Sequence, residues 1–99
     1  MKPDFIPGPW KIDANSVQTA INTEDNEKHI AMVNYNRRYM SEYEHYANAF
    51  LIATAPELYN VLQEALYEAE AYEKGERVYG KWIEKAKLVL ANARGEKHP

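Results

Sequence analysis

The chain has 99 residues, 45% of them hydrophobic and 27% charged, with a formal charge of −3 and no cysteine. That length suits one domain with a modest core. The acidic balance excludes a general nucleic-acid coat, which needs a basic surface, and the lack of thiols excludes disulfide frameworks and cysteine metal sites.

Residues 1–9 carry three of the five prolines and read as an extended arm, since proline fixes φ and lacks an N–H. The arm shows no signal-peptide core, and no apolar run approaches the ~20 residues that span a bilayer. A cytosolic protein without membrane contact is expected. Trp10 follows the arm as its anchor.

Trp10-Lys11-Ile12-Asp13 alternates apolar and polar and predicts a first strand. Asp13-Ala14-Asn15-Ser16 is turn chemistry. Val17 to Asn22 predicts a second strand, with Val17, Thr19 and Ile21 on one face. A polar loop, Thr23 to Lys28, leads to a third strand, His29 to Asn34. Strands with such short links form an antiparallel meander.

Helices follow. Ser41 and Glu44 match the capping box, in which each side chain satisfies a backbone N–H at a helix start. Tyr43, Tyr46, Ala47, Phe50, Leu51 and Thr54 recur at helical spacing and read as the buried face. Pro56 predicts a new helix or a sharp kink, with Thr54 and Glu57 as a second capping box. Leu58, Leu62, Ala65, Leu66 and Ala69 then form an apolar stripe, and Gly75 a C-cap. A further helix is expected from about Glu76 to Ala93, burying Val78, Trp82, Ile83, Ala86, Val89, Leu90 and Ala93. The short link makes the last two helices an αα-hairpin. The reading is thus a single α+β domain over 1–99: an arm at 1–9, a β-meander at 10–34 of about three strands, a helical part of two to three helices at 41–94 packed against that sheet, and a frayed tail at 95–99.

Charge is distributed unevenly. Glu42 to Glu76 holds eight acids and one base, and Arg77 to Lys97 six bases and two acids. Two readings stand. The faces complement each other within the hairpin, or they offer a charged surface to a partner.

The densest polar and aromatic cluster is Tyr35 to Tyr46. Tyr39, Tyr43 and Tyr46 share one helix face if Tyr39 lies close to the helix start. Arg37 and Arg38 precede a helix N-terminus, which favours anions, and arginine matches phosphate oxygens. Tyr35, Arg37, Arg38, Tyr39 and Tyr43 are therefore the candidate residues for binding a small nucleotide, another phosphorylated ligand or a partner. The competing reading packs the tyrosines on the sheet or on a second subunit, because Tyr and Arg are both enriched at interfaces. Glu42-x-x-His45 has the spacing of a helical metal pair. A di-metal bundle needs two such motifs and further glutamates, so a surface histidine is expected, with no metal and no cofactor. No phosphate-binding loop, nucleophile elbow or zinc-protease motif is present, and a non-enzymatic protein is expected.

Pro7-Gly8-Pro9-Trp10, the strand His29-Ile30-Ala31-Met32-Val33, and Ala47-Asn48-Ala49-Phe50-Leu51-Ile52-Ala53-Thr54-Ala55-Pro56-Glu57-Leu58 together look like a widespread set of small phage and prophage proteins. Those proteins tend to begin with P-G-P-W and carry an N-A-x-L-I-A-x-A-P-E-L block. The resemblance covers about residues 7–66. It implies a phage accessory protein of the host bacterial cytoplasm; the leading expectation is that it acts by binding, as a homo-oligomer. Its target would be a host-defence protein or a nucleotide signal. The alternative is a structural or assembly protein whose Tyr-rich face is a homo-oligomer interface.

Overall fold

The computed structural model describes residues 3–14, 18–72 and 80–96. Three strands, β1 (Trp10–Ala14), β2 (Gln18–Thr23) and β3 (His29–Asn34), precede two helices, α1 (Glu42–Tyr72) and α2 (Gly80–Ala93), in an α+β arrangement. The chain forms two compact units, Pro7–Glu57, and Met1–Ile6 with Leu58–Pro99.

In the Pro7–Glu57 unit the strands form an antiparallel sheet in the order β1-β2-β3. Ile12 pairs with Ile21, and Ile21 with Ala31, so one face is apolar across all three strands. Thr19, Ile21 and Thr23 alternate inward along β2, as the period of a half-buried strand requires. Val17 and the turn residues Asn15 and Ser16 lie outside the described residues. The β2–β3 loop is held by the Asp25 carboxylate, which accepts from the Thr23 hydroxyl at 2.7 Å and the Glu27 N–H at 2.9 Å. Those bonds favour the charged form, led by the Glu27 N–H, and lower the Asp25 pKa.

α1 begins as the sequence predicts. The Ser41 N–H donates to Glu44 Oε1 at 2.7 Å, and the Glu44 N–H donates to Ser41 Oγ at 3.1 Å. What the helix buries differs from expectation. The inward residues are His45, Ala49, Ala53 and Pro56, spaced four, four and three. Ala49 and Ala53 pack on Ile21, flanked by Trp10, Ile12, Ile30, Ala31 and Val33. The expected face, Tyr43, Ala47, Phe50, Leu51 and Thr54, is exposed, and only Tyr46 is half-buried. The sheet supplies the bulk, so small helix residues fit the space that remains.

Pro56 does not divide the helix in two. α1 runs through it without a break. The proline ring is fully buried, and its Cβ lies 2.8 Å from where a Cβ on Gly8 would stand. That packing offsets the cost of a mid-helix proline. Thr54 is no cap. Its hydroxyl donates to the Phe50 carbonyl at 2.7 Å, within the helix.

In the other unit, Tyr59, Leu66 and Ala69 of α1 meet Ile83, Ala86 and Leu90 of α2, with Phe5, Leu62 and Trp82 around them. The pairs Glu70–Lys87 at 3.1 Å and Tyr59–Arg94 at 3.1 Å run in opposite chain directions, so these helices are antiparallel. The Tyr59 ring takes the Phe5 ring edge-on at 5.0 Å. Leu58, Ala65, Val89 and Ala93, expected inside, are exposed. Gly75 and Val78 lie outside the described residues. Gly95 adopts φ 80, and the Glu96 N–H reaches the Ala91 carbonyl at 3.0 Å while the Gly95 N–H reaches Asn92 at 3.0 Å. This is a Schellman stop, so Gly95 and Glu96 close the helix, while the rest of the expected tail, 97–99, lies outside the described residues.

The inward face of α1 is directly testable. Ala49→Leu overfills the helix–sheet contact and is expected to cost about 1–3 kcal/mol in urea unfolding, whereas Phe50→Ala stays within about 0.5 kcal/mol. The reverse ranking would mean that α1 packs by its aromatic face.

Candidate functional site

The candidate residues lie between the end of β3 and the first turns of α1, within the Pro7–Glu57 unit. Tyr35 leaves β3 half-buried, its ring 5.1 Å from the His45 ring. The chain then turns about Asn36. The Asn36 carbonyl accepts from the Tyr39 and Met40 N–H groups at 3.0 and 3.1 Å, and its side-chain oxygen accepts from the Arg38 N–H at 3.0 Å. Asparagine suits this place because its side chain copies a backbone acceptor two residues along. Arg37, Arg38 and Tyr39 are carried on this bonded turn and are exposed. Among the described residues neither guanidinium has an ion-pair partner.

Tyr39 lies outside α1, which starts at Glu42, so the expected single face of Tyr39, Tyr43 and Tyr46 does not form. Tyr43 is 89% exposed and Phe50 62%. With Glu42, Tyr46 and Ala47 they line an open groove of about 450 Å³. Tyr35, Arg37, Arg38 and Tyr39 do not line it. The five candidates therefore divide three ways: Tyr35 supports His45, the two arginines and Tyr39 occupy the turn, and Tyr43 belongs to the groove. Phe50 is the groove residue that sequence reasoning placed in the core. Its signal was the run of small residues at 49 and 53, which marks the opposite side of the helix as the one that approaches the sheet.

At the groove's edge the Ser41 backbone and side-chain bonds hold the Glu44 carboxylate charged and lower its pKa. The first turn of α1 thus carries two acids, Glu42 and Glu44, and the Ser41 hydroxyl already takes its Glu44 N–H. An anion would find its donors in the Arg37–Arg38 turn.

His45 is the second correction. It is 3% exposed, not a surface residue. Its Nε2 lies 2.9 Å from Thr19 Oγ1, and Tyr35 and Tyr46 flank the ring at 5.1 Å each. In either tautomer Nδ1 is left without a partner among the described residues. Glu42 is exposed, so the Glu42/His45 spacing does not form a metal pair. Among the described residues no three His, Asp or Glu side chains converge as a metal cage requires.

A family model described as Salmonella phage P22 protein Y8K6 matches residues 1–97. The match takes in α2, which lies beyond the stretch that suggested a phage protein by resemblance. No curated relative and no solved structure matches the chain. Among the described residues no helix is long and apolar enough to cross a membrane.

The Thr19–His45 bond predicts a pattern of coupling. Thr19→Val leaves both ring nitrogens buried without partners and is expected to cost about 1–3 kcal/mol in chemical denaturation. Thr19→Val combined with His45→Leu is expected to recover part of that loss, since both polar groups are then removed together. Additive losses would show that the bond does not couple the sheet to α1.

Proposed function

The chain belongs to the family of Salmonella phage P22 protein Y8K6, and from that membership we propose that it is a phage accessory protein that acts by binding, without chemistry of its own, in the host bacterial cytoplasm. The observation that carries this reading is the outward face of α1. Tyr43, Phe50 and Leu51 are large side chains left in solvent on a rigid helix, beside an open groove. Exposed aromatics on a fixed element supply contact area at little entropic cost, and such residues dominate the energy of protein interfaces.

The partner that fits is a host protein, such as a defence component, which seats an apolar side chain in the Tyr43–Phe50 groove while Arg37 and Arg38 act as its charged rim. A rim of that kind sets association rate and partner choice more than final affinity. A second reading, sequestration of a small nucleotide, is favoured by two guanidiniums on the bonded turn that have no ion-pair partner among the described residues, with Tyr39 beside them as a ring for the base.

The two readings are separated with purified components, after the tagged protein has retrieved its partner from infected cells. For a protein target, Tyr43→Ala/Phe50→Ala is expected to weaken binding at least tenfold, and Arg37→Ala/Arg38→Ala to slow association a few-fold at low salt. A nucleotide site is expected to reverse the order, with the arginine variant abolishing calorimetric binding across a nucleotide panel. If light scattering instead shows that Tyr43→Ala/Phe50→Ala dissolves an oligomer, the face is an assembly surface. Binding and mass unchanged in both variants would refute the site.

A further inference from the structure

The helices of the second unit meet through Tyr59, Leu66, Ala69, Ile83, Ala86 and Leu90, so the opposite arcs of both face solvent. On α1 the outward arc carries Val61, Glu64 and Glu68, and on α2 it carries Lys81, Lys85 and Leu88, all exposed. Val61 is 62% exposed and Leu88 46%. Val61, Glu64, Ala65, Tyr67 and Glu68 line an open groove of about 460 Å³. Within the unit, Lys87 pairs with Glu70 and Arg94 with Glu96. Among the described residues Glu64, Glu68, Lys81 and Lys85 take part in neither pair.

The two arcs match in reverse. From Val61 the acidic arc steps by three to Glu64 and by four to Glu68. From Leu88 the basic arc steps back by three to Lys85 and by four to Lys81. Residues so spaced lie on one line along a helix.

We propose that the outward arc of α1 in one copy docks, antiparallel, on the outward arc of α2 in a second copy, with Val61 on Leu88, Glu64 on Lys85 and Glu68 on Lys81. The occupant is a second copy because the chain itself carries the complement, in sign of charge and in spacing. An apolar pair stands at one end of the contact and two ion pairs at the other. Both arcs point away from the helix–helix core, so the contact is heterologous and leaves one arc of each sign free at the ends of an open assembly. Association of this kind grows with protein concentration unless a ring closes. It is sensitive to salt, since exposed ion pairs are screened. This contact uses none of the residues around the Tyr43–Phe50 groove, so either surface can fail without the other.

Sedimentation velocity on the full chain tests the contact. At low ionic strength the wild type is expected to associate as its concentration rises, and to dissociate in about 1 M salt, where screening acts over about 3 Å. Glu64→Lys/Glu68→Lys and Lys81→Glu/Lys85→Glu are each expected to raise the dissociation constant at least tenfold. An equimolar mixture of the two is expected to restore assembly, because each reversed arc then meets its complement. Leu88→Ser, outside both ion pairs, gives a second loss-of-assembly variant if a charge reversal disturbs the fold. A wild type that is monomeric throughout, variants that assemble like the wild type, or a mixture that stays dissociated overturns the proposal.

Discussion

The closeness with which α1 lies on the sheet governs the Pro7–Glu57 unit. The sheet presents Trp10, Ile12, Ile21, Ile30 and Val33 toward the helix. A helix facing that much bulk seats its backbone close only if its own side chains are small, and Ala49 and Ala53 are. The constraint extends to the ends of the contact. Gly8 leaves room for the Pro56 ring where any Cβ would collide with it, and His45 reaches Thr19 across the same interface. The large residues of α1 are displaced outward by the same geometry. The exposed aromatic face is thus a consequence of how the core closes, and it leaves apolar surface in solvent.

The second unit solves its packing differently. Here both helices contribute bulk: Leu66, Tyr59, Ile83 and Leu90, with Trp82 at the margin. Arg94 bonds Tyr59 and Glu96 at the end of α2 and fastens the Schellman stop to the core. Part of the charge asymmetry along the chain is used here as well. Glu70 and Lys87 join the helices, and the hydrogen bond that Lys87 donates to the Glu70 carboxylate raises the Lys87 pKa. The other charges on the outward arcs are left for solvent or a neighbour.

Much of this architecture was legible in the residues. Alternation along Trp10 to Asp13 and Val17 to Asn22 predicts the first two strands, and Ser41 with Glu44 marks the start of α1. The inward face of α1 was not legible, because periodicity ranks faces by hydrophobicity and the aromatic stripe outscores the alanine stripe. Nothing local shows that the opposing surface has already filled the space. Pro56 misled for a related reason: its local cost is visible in sequence, whereas the packing with Gly8 that offsets it is forty-eight positions away. Of the candidate site, the Arg37–Arg38 turn and Tyr43 were found by composition. Tyr35 was turned inward by His45, whose burial depends on a hydroxyl in β2. Membership of a phage protein family, first suggested by the motifs at 7–10 and 47–58, rests on a match across residues 1–97.

Within the Pro7–Glu57 unit, α1 buries its small-residue face and exposes its aromatic one. The absence of native cysteine makes it open to single-cysteine labelling. Cysteines placed one at a time at Tyr43, Ala49, Phe50, Leu51 and Ala53 are reacted with a thiol reagent under native conditions, each rate normalised to the denatured protein. Rapid labelling is expected at 43, 50 and 51, with strong protection at 49 and 53. Protection at 43 and 50 with rapid labelling at 49 and 53 would contradict it.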